Sequence, residues 1–322
     1  MAIPISTYTR GTAGTNVRED LIDLITLTQP WKTPVISASG KGTAENTFHE
    51  WQRDNLRAAN KDNAALSGDD AVATAKSPPS RVANTCQIFQ DTIAVDGRVE
   101  KVKKAGMASA MKHHKAKAYK EINRDMEAAV VSKNLSVADN GTLSGKLAGL
   151  GRLIYTNALH GSLGVTPAHT TGAATTALTA GTNRALTVTL LNTAVQQTYV
   201  NSGEVPPEVF MSPAHKEIFS TFTGIAANRL DVKNNDQGRI VSGADVYVSN
   251  FGMLTIIPHY LMAGSDMVLG LDTDYIDMVY LRPYQSKELA RTGDSTREQV
   301  LVDATLRVTS EVAQFKIDNI TP

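Results

Sequence analysis

The sequence predicts an α+β protein, and three observations support this class. Residues 98–132 carry apolar side chains largely at three- and four-residue steps, which indicates a long helix. Residues 186–265 alternate between helical and strand-like patterns. Residues 267–318 read as a series of strands separated by turns, which predicts a closing β-meander.

The overall composition excludes some classes of protein. The chain has 322 residues, with 32 Lys and Arg balanced by 32 Asp and Glu. A neutral chain of this kind is unlike a histone-type DNA packer, which needs a basic excess, and weak self-repulsion favours self-association. The single cysteine, Cys86, rules out a disulfide within the chain, and no apolar run is long enough to span a membrane.

The N-terminal part predicts an arm rather than a domain. Residues 1–18 are polar and aperiodic, and residues 19–27 have enough closely spaced apolar side chains for a short amphipathic helix. Pro30 and Pro34 then predict an extended or turned backbone.

A long polar stretch between two strands predicts a projecting arm. Residues 44–53 and 81–95 have strand-like composition, and residues 54–80 lack the apolar side chains needed to pack as a core. We expect the two strands to pair and the polar stretch to extend from the body. Trp51 and Phe89 are predicted to lie at the root of this arm, as interfacial anchors or as simple core residues.

The predicted helix at 98–132 starts after Asp96-Gly97 and has a weak point at Gly106, where a bend is expected. Residues 98–133 hold ten basic side chains and four acidic ones. This excess fits a solvated helix face, a contact with an acidic loop of a neighbouring subunit, or a contact with nucleic acid. The sequence leaves these alternatives open.

The remaining elements follow from local signals. Residues 139–185 are rich in Gly, Thr and Ala and predict a connector with surface loops. A helix over 186–201 should end at Gly203, and Ser212-Pro213 should start a second helix that runs to about Phe222. Strands are expected at the following ranges: 208–212, 244–249, 253–258, 267–271, 276–281, 299–308 and 312–318.

No motif indicates catalysis, a cofactor or a metal. The chain lacks a glycine-rich dinucleotide loop, a phosphate loop ending in Gly-Lys-Ser/Thr, and a Gly-x-Ser-x-Gly elbow. Cys86 lies in a candidate strand and is expected to be a buried structural thiol. His113 and His114 are helical neighbours that point about 100° apart, which favours a solvated face over a shared metal. Asp272, Asp274 and Asp277 are expected to be turn-forming acids, because their spacing lacks the glycine and glutamate of an EF-hand.

Three stretches carry a resemblance to a known family. The first is Gln29-Pro30-Trp31-Lys32-Thr33-Pro34, and the second runs from Asn46-Thr47-Phe48-His49-Glu50-Trp51 to Asp54-Asn55-Leu56. The third runs from Lys287 to Phe315, with Gly293-Asp294-Ser295 before a strand and Thr305-Leu306 within it. These stretches resemble the major capsid proteins of tailed bacteriophages, and the order of the predicted elements is similar to that of this family over most of the chain.

The resemblance implies a Hong Kong 97-like phage capsid fold with an N-terminal arm, an extended β-hairpin loop, a long spine helix, and peripheral and axial domains. The implied boundaries are 1–42 for the N-terminal arm, 43–97 for the extended loop, 98–185 for the peripheral domain with the spine helix and connector, 186–265 for the axial domain, and 266–322 for the return to the peripheral domain.

The resemblance also implies a structural role without catalysis or cofactors. The expected function is self-assembly into hexamers and pentamers that build an icosahedral head around phage DNA. The expected partners are further copies of the chain, portal, scaffolding or cement proteins, and double-stranded DNA bound non-specifically at the inner face, with no membrane. The expected location is the virion, after assembly in the bacterial cytoplasm.

Two groups of residues are the candidate sites of this function. The extended loop is expected to make intersubunit contacts through Trp51, Asp54, Arg57, Asp69, Asp70, Arg81 and Phe89. The basic spine helix is expected to contribute Lys101, Lys104, Lys112, Lys115, Lys117 and Lys120. The alternatives are a soluble oligomeric enzyme with an unrecognised site, and a nucleic-acid-binding protein that uses the basic helix.

Overall fold

The computed structural model describes residues 25–68, 70, 73–222 and 245–321. The helices are α1 (Pro34–Ala38), α2 (Gly97–Lys101), α3 (Ala110–Val130), α4 (Leu150–Leu153), α5 (Val188–Ser202) and α6 (Pro213–Ser220). The strands are β1 (Gly40–Thr43), β2 (Phe48–Arg53), β3 (Ser80–Thr85), β4 (Gln87–Asp96), β5 (Ala158–Leu159), β6 (Gly172–Ala173), β7 (Glu208–Met211), β8 (Val246–Val248), β9 (Met253–Pro258), β10 (Val268–Leu271), β11 (Ile276–Glu288), β12 (Ser295–Val308) and β13 (Phe315–Ile317). The predicted arm at 1–18 lies outside the described residues, as does most of the predicted helix at 19–27, and residues 25–27 are not helical.

A four-stranded sheet with the order β1-β11-β12-β4 packs against α3. Phe89 and Val302, which are cross-strand neighbours on β4 and β12, lie in one buried cluster with Ile122 and Met126 of α3. Alternation along the strands leaves the opposite face of the sheet more exposed. The strands predicted at 276–281 and 299–308 are confirmed, and both extend further than their apolar cores.

The prediction of one helix over 98–132 is wrong in its first part. Helix α2 ends at Lys101, the chain then runs without regular structure, and α3 begins at Ala110. Gly106 adopts a φ of +74°, a conformation that breaks a right-handed helix, and the Ser109 side chain caps α3 by accepting a hydrogen bond from the amide of Lys112. Val99 is therefore exposed, although its spacing predicted a core position.

The two strands flanking the polar stretch pair as predicted, but the second strand is divided. Strands β2 and β3 are antiparallel, and the short β6 adds to β3 to complete a three-stranded sheet. The chain then turns at Cys86, and β4 pairs with β12 in the four-stranded sheet. One continuous segment of the sequence thus belongs to two sheets.

The third sheet has six strands in the order β5-β13-β10-β7-β9-β8 and is covered by α5 and α6. Its strands come from three distant parts of the chain, because β5 precedes α5 whereas β10 and β13 follow residue 266. The predicted domain boundaries at 185/186 and 265/266 therefore cut across this sheet. Strand β10 lies at its centre between β13 and β7, so residues 268–271 do not return to the four-stranded sheet.

Capping signals were predicted well where they are local. Helix α5 ends at Gly203, which adopts a φ of +79°, and the Ser212 side chain accepts a hydrogen bond from the amide of His215 at the start of α6. Helix α1 was missed, because Pro34 was taken to favour extended backbone. Proline is also favoured at the first position of a helix, and Pro34 occupies that position.

Residues 139–185 are less exposed than the prediction of surface loops implies, because buried polar side chains hold them against the body. The side chain of Asn84 accepts a hydrogen bond from the backbone amide of Ala148 at 2.8 Å and donates one to the backbone carbonyl of Leu306 at 2.9 Å. Arg152 is buried and donates to the carbonyls of Thr176 and Pro167. These polar contacts supply the order that the Gly- and Thr-rich sequence does not signal.

Candidate assembly surfaces

The polar arm is exposed at every described position between Asp54 and Pro79. Leu56 is 100% exposed and Leu66 is 80% exposed, so even the large aliphatic side chains of the arm contribute nothing to the core. The hydrogen bonds described for this segment are local, such as that from the Arg57 guanidinium to the carbonyl of Ala58. The arm therefore has a surface available to another molecule along its whole described length.

Trp51 fixes the root of the arm to the body. It lies on β2 opposite Val82 of β3, and its indole Nε1 donates a hydrogen bond to the carbonyl of Val308 at 3.0 Å. The His49 ring stacks on the indole with a centroid separation of 6.0 Å, and burial together with Arg307 lowers the pKa of His49. Trp51 thus joins the hairpin to the end of β12.

A polar cleft opens where the arm leaves the body. The Arg53 guanidinium donates to the carbonyl of His169 at 3.3 Å on one side of this cleft. On another side, the buried Glu311 carboxylate accepts hydrogen bonds from the amides of Tyr155 and Thr156. Burial, followed by the charge of Glu311, raises the pKa of Tyr155. Arg53 thus joins the arm root to the segment between β5 and β6, and Glu311 joins the turn before β13 to the loop that precedes β5.

The other residues predicted for the arm occupy different environments. Asp54, Arg57 and Asp70 are exposed on the arm, whereas Asp69 lies outside the described residues. Arg81 reaches Glu50 on the neighbouring strand at 3.6 Å in an exposed ion pair. Phe89 is buried in the main core against α3, so the interfacial reading of Phe89 is wrong and the core reading is correct.

The predicted basic face on the spine helix is divided among several contacts. Lys104 lies between the helices and donates to the carbonyls of Val99, Glu100 and Val102 at the end of α2. Two others form ion pairs, Lys115 with Glu298 at 2.9 Å and Lys117 with Glu121 at 3.3 Å. The ammonium group of Lys120 lies 4.7 Å from the centre of the Trp31 ring, in a cation–π contact.

Three lysines of this segment remain exposed without an ion pair among the described residues: Lys101, Lys103 and Lys112. They lie on α2, on the break between the helices and on the first turn of α3. The segment therefore presents a small basic surface rather than a continuous charged face.

The predicted absence of a metal site or reactive nucleophile remains an expectation, and the geometry offers little to either. In the described part of the chain, no group of three or more His, Cys, Asp or Glu side chains is arranged to hold a metal ion. Cys86 is buried, and burial followed by the charge of Asp303 raises the pKa of its thiol to about 12. Such a thiol is protonated at neutral pH and is a poor nucleophile. Across the described ranges, no helix combines the length and hydropathy needed to cross a membrane.

The sequence did not reveal a buried set of hydrogen bonds that holds α1 against α3. The carboxylate of Glu127, which is fully buried on α3, accepts hydrogen bonds from the amides of Val35 at 2.8 Å and Ile36 at 2.9 Å. The imidazole Nε2 of His259 lies 2.8 Å from the same carboxylate. The only signal in the sequence was an acidic residue directly beside Met126 in the apolar stripe of α3.

An apolar surface lies at β8, which ends the six-stranded sheet among the residues that the structure describes. Val246 and Val248 of β8 and Met253 of β9 are exposed on the same face of the hairpin, in register with one another. Phe251 stacks near Tyr199 of α5, with ring centroids 5.3 Å apart, and both rings are partly exposed. Exposed apolar clusters beside an unpaired strand edge are typical of surfaces that contact another protein.

A family model described as "SU10 major capsid protein" matches residues 5–321 of this chain. A curated relative, the "Major capsid protein" of Escherichia phage Phieco32, is 28% identical over 108 residues, which cover 34% of this chain and 31% of that protein. The chain thus matches about a third of the length of this relative.

Solved structures share the fold at low identity. The "Cyanophage A-1(L) capsid asymmetric unit" aligns with a TM-score of 0.66 at 12% identity, covering 98% of this chain and 100% of that chain. A structure from Mycobacterium phage Bobi gives a TM-score of 0.60 at 10% identity, with 98% and 99% covered. The SrpI encapsulin of Synechococcus elongatus gives 0.56 at 10% identity, with 98% and 96% covered.

Proposed function

We propose that this chain, which belongs to the SU10 major capsid protein family, assembles into hexamers and pentamers that close into an icosahedral phage head around genomic DNA. The chain has a Hong Kong 97-like capsid fold. That fold is shared with an encapsulin, but the family match covers nearly the whole chain and favours a phage head. The observation that carries the assembly proposal is an arm that is exposed throughout its described length.

In this proposal the arm extends to a neighbouring subunit, and the rest of each subunit provides the surface on which a neighbour's arm lies. An arm that buries no core of its own is stabilised only when it lies on another surface, and a neighbouring copy presents such a surface at high local concentration. Each contact can be modest, because many contacts per subunit act together in a closed shell. Trp51 and Arg53 hold the root, so the direction in which the arm leaves the body is set by the subunit itself.

The two other surfaces complete the proposal. The apolar edge formed by Val246, Val248 and Met253 is the contact between the axial parts of subunits around a local symmetry axis. The exposed lysines Lys101, Lys103 and Lys112 meet either acidic side chains of a neighbouring subunit or the DNA inside the head, since both carry negative charge.

The domain assignment follows the sheets within this proposal. Residues 48–53 and 80–85 form the extended loop with the arm between them, and the four-stranded sheet with α3 forms the peripheral domain. The six-stranded sheet with α5 and α6 forms the axial domain. We further propose that the chain is not an enzyme, that portal, scaffolding or cement proteins are its other partners, and that it assembles in the bacterial cytoplasm before residing in the virion.

Replacing residues 57–79 by an Asn-Gly turn tests the proposal. Shortening the connection between β2 and β3 lowers the cost of loop closure, so the subunit should be more stable by on the order of 1 kcal/mol. The variant should melt cooperatively and form no closed shells, as judged by calorimetry and electron microscopy.

A matched control replaces the same residues with a Gly-Ser segment of equal length. This control keeps the reach of the arm and removes its side chains. Shell assembly by the control would assign the role to length, and its failure would assign the role to contacts. A deletion variant that closes normal shells would contradict the proposal, and one that fails to fold would show that the arm belongs to the core.

A further inference from the structure

A small pocket lies beside the corner at Cys86, between the start of β2, the start of β4 and the loop at 138–145. Its volume is about 180 Å³. Two of its lining residues, Phe48 and Ile88, are large apolar side chains that remain 38% and 50% exposed. The pocket is therefore open to solvent through an apolar entrance.

Asp303 lines the same pocket and is only 3% exposed. It lies on β12 directly opposite Ile88 of β4 and Arg282 of β11. The Arg282 guanidinium contacts carboxylate oxygen Oδ2 through two nitrogens, each at 3.3 Å. The other oxygen, Oδ1, is buried and receives no hydrogen bond from any residue that the structure describes.

An orphaned carboxylate oxygen is costly in a buried position. Burial raises the pKa of Asp303, and the nearby Arg282 opposes that shift only in part. The charge of Asp303 in turn contributes to the raised pKa of the Cys86 thiol. A second carboxylate, that of Asp139, lines the pocket as well. The buried end of the pocket therefore carries the carboxylate of Asp303, and its exposed rim carries that of Asp139.

The shape and charge together favour one kind of occupant. A lysine side chain has an apolar stem that can lie on Phe48 and Ile88, and an ammonium group that can donate to Oδ1 of Asp303. At about 30 Å³ per water molecule, the volume holds several waters and so accommodates one long side chain. A metal ion is a poor fit, since no group of three ligating side chains occurs among the described residues.

We propose that this pocket receives a lysine side chain from a second copy of the chain in the assembled head. The inference rests on the proposed assembly and adds a specific contact to it. The chain offers suitable donors in Lys101, Lys103 and Lys112, which are exposed and have no ion pair within the described residues. The contact completes the hydrogen bonding of Asp303 only after assembly, so it stabilises the shell and not the free subunit.

This coupling predicts opposite effects of Asp303→Asn on the two states. The isolated subunit should melt at an unchanged or higher temperature, because the substitution removes a buried charge, keeps an oxygen that can accept from Arg282, and leaves the partly exposed Arg282 in contact with water. Assembled particles should dissociate at a lower temperature and a lower denaturant concentration than wild-type particles. Asp274→Asn, an exposed carboxylate on the turn before β11, serves as the control and should change neither value.

Chemical crosslinking identifies the donor. Particles assembled from a mixture of isotopically light and heavy subunits are treated with a carbodiimide, which joins a carboxylate to an amine in direct contact. We expect Asp303 conjugated to a lysine, with light and heavy peptides in the same conjugate, and no such conjugate from Asp303→Asn particles.

The outcomes separate the two proposals. A wild-type chain that forms no particles overturns both the assembly and this contact. Normal particles without a mixed-label Asp303 conjugate, or an Asp303→Asn substitution that weakens subunit and particle equally, overturn the lysine contact and leave the assembly proposal standing.

Discussion

Removing the carboxylate of Glu127 should release α1 from the body while the rest of the subunit stays folded. The carboxylate accepts hydrogen bonds from the amides of Val35 and Ile36, and Nε2 of the His259 imidazole lies 2.8 Å from one of its oxygens. Both helix amides belong to the first turn of α1, where no carbonyl of the helix itself is available to them.

The magnitude follows from what each substitution leaves unpaired. Glu127→Ala removes both acceptor oxygens and leaves the buried N–H donors unpaired, so we expect the free energy of unfolding to fall by about 3–5 kcal/mol. Glu127→Gln retains one acceptor oxygen but turns its NH₂ group toward a donor, so we expect the free energy of unfolding to fall by about 1–3 kcal/mol. Glu121→Gln is the matched control on the same helix, because Glu121 forms an exposed pair with Lys117, and it should cost about 0–1 kcal/mol.

Hydrogen exchange at the amides of Val35 and Ile36 measures the effect directly. Every 1.4 kcal/mol corresponds to a factor of ten, so exchange in Glu127→Ala should be faster by about a hundredfold to a few thousandfold. Amides of α5, which are remote from the contact, should change much less. If Val35 and Ile36 keep their protection in Glu127→Ala, or if Glu121→Gln exposes them equally, then Glu127 does not hold α1.

Two further predictions concern the arm root and the connector. Trp51→Phe keeps an aromatic ring but loses the hydrogen-bond donor to the carbonyl of Val308, so calorimetry should show that the free energy of unfolding of the subunit falls by about 1 kcal/mol. Trp51→Ala should also lower the stability of assembled particles. Trp51→Ala particles of unchanged stability would exclude an interfacial role. Burial and Arg152 hold the pKa of His169 at about 3, below its usual 6.5. As the pH falls, His169 therefore takes up a proton in the unfolded chain before it does so in the folded chain. Its contribution to the free energy of unfolding is present above pH 6.5 and is lost as the pH falls toward 3. His169→Phe should flatten part of this acid loss in pH-dependent denaturation curves, and an unchanged slope would contradict the assignment.

The elements predicted correctly are those whose signals are local. Helices α5 and α6 carry their own caps at Thr187 and Ser212, and α5 carries its own stop at Gly203. The arm was recognisable because polar composition over a long stretch cannot support a core, wherever the rest of the chain lies. The strands after residue 266 follow from their own composition and turns, but the predicted meander is wrong, because β10 and β13 belong to the six-stranded sheet and only β11 and β12 pair in the four-stranded one.

The elements missed depend on partners far along the chain. Helix α1 is too short to be stable alone, and its first turn is held by Glu127, 92 positions away from Val35. The buried packing near Ala148 depends on Asn84, 64 positions away, and on the backbone of Leu306. No periodicity within a window of ordinary length reports such contacts.

In the candidate site too, features with local sequence signals were predicted and features that depend on distant contacts were not. The root position of Trp51 followed from its place on a strand beside the polar stretch, but its bond to Val308 joins residues 257 positions apart. Phe89 was assigned to the same root because the segment from 81 to 95 was treated as one strand. The turn at Cys86 places Phe89 in a different sheet, where alternation directs it toward α3.

The turn at Cys86 also decides how the subunit bears mechanical load. A pull on the arm is transmitted along β3 and through Cys86 into β4, all ten residues of which pair with β12. Tension directed along a strand loads many hydrogen bonds of the ladder together instead of opening them one after another. Strand β12 is itself flanked by β11, so the load spreads into the central sheet before any single pair fails. The polar arm is thereby anchored to the four-stranded sheet that packs against α3, as a tether would be in a container that must resist pressure from within.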